Sequence, residues 1–292
     1  MNAAKLERVA LGAIVIGLVA LAAADFHSKI ATQSRSFRPW LAGLSIERSS
    51  ADPSGPANRF VLAYFWDRRT LRIAAMPKRM DITEPFRAAG GRLMIRIPAP
   101  ASVTTGQDLK AWLLSAPKGI RFWLALPRMI RLVRRDASSE LGVYDAFVLA
   151  RELYRLEPYR IRSQELVSNG DVRTFFSRLE SGSYDTAPPG PLAVAVLNAS
   201  NEPGVALQAT KVLRWRGLDV VDFGNAAAPS PSTRLIDHGA TDPEIETLMR
   251  KLGCGDLDVA EAFDSGRRER VTIVLGRDYA RCSLFGGVMK GT

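Results

Sequence analysis

The chain has 292 residues, 47% of them hydrophobic, and a formal net charge of +10. Such a composition excludes wholesale disorder and leaves room for two packed units. Two cysteines exclude a disulfide scaffold, and the positions of His27, His238, Cys254 and Cys282 make no Cys/His constellation for a structural metal.

The charge is uneven. Residues 1–191 carry 28 Lys/Arg against 17 Asp/Glu, whereas residues 192–292 carry 12 against 13. Residues 59–135 alone hold 16 basic and 4 acidic side chains. A basic first part joined to a neutral second part favours anionic partners, namely lipid head groups, phosphate-bearing glycans or nucleic acid.

At the N-terminus, Lys5 and Arg8 precede Val9–Ala24, an uncharged apolar run. It is shorter than the roughly 20 residues of a full crossing, and Ala22, Ala23 and Ala24 fit a small-residue cleavage site. Residues 1–26 therefore read as a signal anchor or a signal peptide. Lys29, Arg35 and Arg38 blunt the positive-inside bias, but a large polar body translocates regardless. The expectation is a bacterial cytoplasmic-membrane protein whose body faces the periplasm or extracytoplasmic space. That placement argues against nucleic acid as the partner.

Residues 27–58 read as a membrane-proximal linker, ending in the Ser/Pro/Gly stretch SSADPSGPAN. FVLAYFW and LRIAAM, separated by DRRT, predict a β-hairpin of two buried strands. GRLMIRIP is a half-exposed strand. TTGQDLKAWLLSAP is a helix with a Thr cap that stops at Pro117, and GIRFWLALP is another strand. RMIRLVRR gathers Arg128, Arg131, Arg134 and Arg135 on one helical face. VYDAFVLARELYRLEP is an amphipathic helix whose apolar side is taken as Val143, Phe147, Ala150, Leu153 and Tyr154. DVRTFFSRLE closes the unit, and Trp112, Phe122 and Trp123 are assigned to its core. SGSYDTAPPGP (181–191) is a linker and marks a boundary.

Beyond it, LAVAVLN, LDVVDFG, STRLIDHG and ERVTIVLG are strands. VALQATKVLRWRG is a helix ending at Gly217, entered from ASNEPG with Ser200 or Asn201 as cap. Asp242-Pro243 caps a second helix with Ile245, Leu248, Met249 and Leu252 as its stripe. The order β-α-β, β-α-β predicts a two-layer unit of the split-repeat kind. His238 reads as a loop histidine. If LDVAEAF (257–263) forms a strand and DSGRRE turns it back, Cys254 and Cys282 come to the same end and can pair.

These motifs carry a resemblance. LAVAVLNAS, EPG, ALQATKVLRWRGLDVVDFGNA, RLIDHG and ERVTIVLGRDY are similar, in order and spacing, to the C-terminal domain of the LytR-CpsA-Psr cell-envelope proteins. The hairpin and VYDAFVLARELYRLEPYRIR resemble the catalytic domain of the same family, in truncated and degenerate form. The family carries an Asp before the first strand and S-I-P-R-D-T after the second. Here Ala57-Asn58-Arg59 and Ala75-Met76-Pro77-Lys78-Arg79-Met80 stand at those places, and Asp81 lies two positions late. The Arg-rich stretch that holds a polyprenyl pyrophosphate has no counterpart between 98 and 143.

The resemblance implies an α/β protein: a membrane segment (1–26), the linker (27–58), a degenerate α/β/α LytR-CpsA-Psr-like domain (59–180), the Pro/Gly linker (181–191), a two-layer C-terminal domain (192–280) and a tail (281–292). It also implies an envelope role. Transfer of a glycopolymer from a lipid pyrophosphate needs carboxylates for a divalent metal and arginines for the phosphates, and the acids are unmatched. The reading is a non-catalytic envelope protein without cofactor, binding an anionic lipid or glycan, peptidoglycan or a partner protein. Lys78, Arg79, Arg92, Arg96, Arg128, Arg131, Arg134 and Arg135 are its candidate anion-binding residues, with Arg72 as a further arginine. The alternative is an active transferase, with Lys78, Arg79, Asp81 and Glu84 at its site and Mg²⁺ as its metal.

Overall fold

A computed structural model describes residues 39–46, 58–77, 83–89, 93–97, 103–115, 143–181, 190–264 and 266–286. The apolar run at 9–24, Lys78, Arg79, Asp81, Arg92 and the arginine cluster 128–135 lie outside them.

The upstream strands are β1 (Trp40–Ile46), β2 (Asn58–Phe65), β3 (Thr70–Ala75), β4 (Leu93–Ile97) and β5 (Ile161–Glu165). The helices among them are α1 (Thr83–Ala88), α2 (Gly106–Leu114), α3 (Val143–Arg155) and α4 (Asn169–Ser181). Downstream follow β6 (Ala193–Asn198), α5 (Val205–Trp215), β7 (Asp219–Asn225), β8 (Arg234–Asp237), α6 (Asp242–Leu252), β9 (Asp258–Glu261), β10 (Val271–Leu275) and α7 (Ser283–Gly286). The backbone places Glu84 on α1 and Arg96 on β4.

Side chains alternate across a strand, and β1, β2 and β3 are apolar on both faces. Trp40, Leu44, Phe60, Tyr64, Leu71 and Ile73 pack on one side beneath α2 and α3. Leu41, Val61, Ala63, Phe65 and Ala74 pack on the other, against Phe86 of α1 and Val172, Phe175 and Phe176 of α4. The upstream half therefore has three layers. The segment read as a linker contains β1, which pairs antiparallel with β2 and parallel with β4 and is buried at every position but Ser45. On α3, Val148, Leu149 and Leu153 face the sheet, while Phe147 is 39% exposed. The packed face differs from the expected one because the half-polar stripe of Asp145 and Glu152 turns inward; the Tyr64 hydroxyl donates to Glu152 Oε2 at 3.1 Å.

Downstream, β6 and β7 pair in parallel across α5, and β8 and β9 pair in parallel across α6. β10 lies between β8 and β6, antiparallel to the first and parallel to the second. Val194, Val196, Leu235, Val259, Val271, Ile273 and Leu275 pack under both helices in one core. This unit thus has five strands rather than the four of a simple repeated β-α-β. The added strand, β9, carries the junction: it pairs in parallel with β5, Arg162 opposite Val259. All ten strands among the described residues form one sheet, ordered β4-β1-β2-β3-β5-β9-β8-β10-β6-β7.

Cys254 and Cys282 form a disulfide with a Cα–Cα distance of 4.8 Å. Cys254 follows Gly253, whose φ of 67° ends α6 in a left-handed cap, and β9 carries the chain back toward β10. Among the described residues no helix is long and apolar enough to cross a membrane.

Candidate functional site

The junction between β5 and β9 gathers the most concentrated charge chemistry in the described molecule. Arg72 on β3 and Arg162 on β5 are register partners and so project to the same face. Both are buried, at 1% and 2% exposure. Arg72 Nη2 donates to Asp242 Oδ1 at 2.9 Å, and its Nη1 pairs with Glu261. Arg162 Nη1 donates to Asp237 Oδ2 at 2.7 Å, and its Nη2 lies 2.6 Å from Asp242 Oδ1. Asp237 and Glu261 are themselves register partners at the ends of β8 and β9. Two upstream arginines therefore meet three downstream carboxylates away from water, where unpaired charges are costly.

Local structure at the start of α6 frees Asp242 for this role. Thr241, not Asp242, is the N-cap. Its backbone N–H and its hydroxyl both donate to Glu244 Oε2, at 2.9 and 3.0 Å, in a capping box. Asp242 is then the first helical residue and Pro243 the second. Burial pushes the Asp242 carboxyl up, but the guanidinium groups of Arg162, Arg72 and Arg68 outweigh it and hold the group below the usual carboxylate range. On the opposite face of the sheet, Lys110 of α2 reaches Asp258 Oδ1 at 2.5 Å and donates to the carbonyl of Val259 at 3.4 Å. Burial pushes the Lys110 ammonium down, with Asp258 opposing.

Beside this cluster opens a cleft of about 470 Å³, built from three pieces. The β2–β3 turn gives Trp66, Asp67, Arg68 and Arg69; the entry to β5 gives Tyr159, Arg160 and Arg162; the start of α6 gives Asp242, Pro243 and Glu246. Four arginines thus face three carboxylates. Arg69, with φ of 52°, sits at the tip of the turn, and its Nε is 3.8 Å from Glu152. Arg160 is held from several sides: it donates to the Arg68 carbonyl at 2.6 Å and to Glu246 Oε1 at 2.7 Å, and lies 5.2 Å from the Tyr159 ring centroid. The Tyr159 hydroxyl, pushed up to about 12 by burial and by its hydrogen bond to Glu157, stays protonated at neutral pH. The Trp66 indole N–H is buried without a hydrogen-bond partner. Such a surface, two aromatic rings among fixed guanidinium and carboxylate groups, suits a polar ligand with an anionic substituent.

The sequence-derived candidates contribute little here. Of the arginines considered for an anion site, Arg72 is spent in the buried ion cluster. Arg68, Arg69, Arg160 and Arg162 were missed because their signal is tertiary: the turn and the β5 entry are 92 residues apart at the Arg160–Arg68 bond. His238 is buried; its Nδ1–H donates to the Ala262 carbonyl at 2.8 Å, and Nε2 accepts from the Thr272 hydroxyl at 2.9 Å. It stands in the bend just after β8, a loop histidine as expected, and these two bonds hold it buried there. In the ASNEPG turn the N-cap of α5 is Gly204, without a side-chain cap, in place of Ser200 or Asn201. Asn198 instead takes the Ser200 N–H and hydroxyl on its Oδ1, closing the turn on itself. Among the described residues no group of His, Cys, Asp and Glu is arranged to hold a metal ion.

No curated protein and no solved structure matches the chain. Residues 192–279 match the LytR_C family, described as LytR cell envelope-related transcriptional attenuator. The match begins at the strand that follows the Pro/Gly linker and ends at Tyr279, after β10. A cell-envelope domain with a disulfide fits an extracytoplasmic location, where such bonds persist. The downstream half of the sheet is thus a LytR C-terminal domain, and it supplies Asp242, Pro243 and Glu246 to the cleft.

Proposed function

We propose that the chain is a membrane-anchored, extracytoplasmic envelope protein without catalytic activity, and that the junction cleft binds a carboxylate- or phosphate-bearing envelope glycan. The upstream unit would be a degenerate relative of the LytR-CpsA-Psr catalytic domain, retained as a partner for the C-terminal domain. One observation carries the reading: an arginine- and aromatic-lined cleft is assembled jointly by the upstream unit and the LytR C-terminal domain. Aromatic rings cover the apolar faces of a sugar, and planar guanidinium forks match its anionic groups. The excess positive charge of residues 59–135 would draw the same polymer by long-range attraction.

The test is a calorimetric titration of the full-length chain in detergent with a short oligouronate and with a neutral oligosaccharide of equal length. The expected result is salt-sensitive binding of the oligouronate alone, weakened about tenfold by Arg160→Ala, the loss of roughly one charge-assisted hydrogen bond. Equal binding of both sugars, or of neither, overturns the cleft assignment. Metal-dependent release of lipid phosphate from a polyprenyl-pyrophosphate-linked glycan overturns the non-catalytic reading and points to Asp81 and Glu84.

A further inference from the structure

Helix α5 leaves an unusual surface on the C-terminal domain. Trp215, its last residue, is 83% exposed. Leu207, eight residues earlier and on the same face, is 44% exposed. Lys211 lies between them on that stripe, and Arg214 and Arg216 flank the tryptophan; all three are exposed. Lys251, at the end of α6, joins the group by donating to the Arg216 carbonyl at 3.3 Å. Among the described residues no carboxylate pairs with Lys211, Arg214, Arg216 or Lys251. The acidic residues nearest in the chain, Asp219 and Asp222, stand on β7.

Cations at the C-terminal ends of two helices are favourable for local reasons, because they meet the negative end of each helix dipole. That accounts for the charges. It does not account for a large indole and a leucine left in water on the same stripe. An indole ringed by lysines and arginines that no carboxylate neutralises is the chemistry of an interfacial anchor, even with Arg214 donating to the Val220 carbonyl at 2.7 Å. The ring sits at head-group depth, and the cations meet lipid phosphates.

We infer that Trp215, Leu207, Lys211 and Arg216 form a peripheral contact site for an anionic lipid bilayer, which holds the C-terminal domain against the membrane surface. The inference rests on the extracytoplasmic, membrane-anchored reading above, and charge complementarity selects the bilayer over a protein partner. A second contact beyond the N-terminal segment would fix the domain's orientation and the direction in which the junction cleft opens.

The test places the full-length chain in nanodiscs of phosphatidylcholine, with or without phosphatidylglycerol, carrying brominated acyl chains. Subtracting Trp215→Phe isolates the Trp215 fluorescence from that of the other four tryptophans. The expected result is bromine quenching of Trp215 in the anionic discs, severalfold weaker in the neutral ones and lost in Lys211→Glu/Arg216→Glu. Equal quenching in both discs, or none in either, overturns the site. So does protection from iodide without bromine quenching, the signature of a second copy or a protein partner. If the chain fails to enter discs of either kind, the anchor reading fails instead. The same quenching is then read on brominated vesicles of the same lipids, where binding rests on the patch alone.

Discussion

Arg72 and Arg162 lie side by side on adjacent parallel strands, and both reach Oδ1 of Asp242, at 2.9 and 2.6 Å. One carboxylate from the LytR C-terminal domain thus bridges two buried upstream cations, whose further partners are Glu261 and Asp237. Breaking a buried pair from one side costs about 3–5 kcal/mol, because the surviving charges stay dry and uncompensated. Asp242→Ala is expected to destabilise the whole chain by that amount in denaturant unfolding, while Asp242→Asn, which keeps an acceptor, costs less. A loss below about 1 kcal/mol for both would mean that the cluster is open to water.

The same residue sets an acid limit. Asp242 has a folded-state pKa below its unfolded value, so its contribution is fully present above roughly pH 4 and is lost as pH falls through the lower folded value. The stability gap between wild type and Asp242→Asn is expected to be flat from pH 7 to about pH 5 and to close only below about pH 4. A gap that closes near pH 6 would mean that burial outweighs the guanidinium groups and raises the Asp242 carboxyl instead.

Lys110 differs. Its side chain is buried while that of its partner Asp258 is 35% exposed, and burial holds the ammonium below its ordinary value. A depressed lysine disfavours the folded state at neutral pH, and stability recovers as pH rises through the folded value toward the unfolded one. Lys110→Met leaves behind only a part-solvated carboxylate and is expected to change stability by less than about 1 kcal/mol at pH 7. A loss of several kcal/mol would show that Lys110 clasps the two units together.

The disulfide closes a loop of 28 residues in sequence separation, which by chain entropy contributes roughly 3–4 kcal/mol. Cys254→Ser with Cys282→Ser should lower the denaturant midpoint accordingly, and dithiothreitol should lower that of the wild type alone. An unchanged midpoint under reduction would mean that the thiols are not bonded.

Gly276, in the Leu-Gly-x-Asp-Tyr motif after β10, has a separate reason to be glycine. A Cβ there would collide with the backbone of Ser232 and Thr233, which cannot swing aside as a flexible side chain can. Gly276→Ala is expected to cost more than about 1–3 kcal/mol, the usual range for overpacking, in thermal unfolding. A neutral result would contradict the close approach of the 230–233 loop.

Much of this architecture is visible in local patterns. The hairpin follows from two apolar runs around DRRT, and α6 follows from its Ile245, Leu248, Met249, Leu252 stripe and Gly253 stop. The β1 strand escapes because WLAGLSI is short and sits between an apolar run and a Pro/Ser segment, with nothing local to name its partner. The face of α3 is misjudged because Asp145 and Glu152 turn inward, against the rule that carboxylates face water. The cleft and ion cluster are invisible for a stronger reason. Arg72 and Asp242 are 170 residues apart, and from the sequence one reads as a candidate anion-site arginine and the other as a helix cap. Only the β5–β9 pairing brings them together. The matched family region contains the acids but not their arginines.

That pairing is the claim on which the cleft depends, and amide hydrogen exchange tests it most directly. In the full-length chain, the amides of β5 and β9 that bond across the junction should be protected as strongly as those of β10 in the centre of the C-terminal domain, and Asp242→Ala should release both strands together. Fast exchange in β5 and β9 beside slow exchange in β10 would contradict the account. It would mean two independent sheets, an ion cluster that does not persist, and no shared cleft.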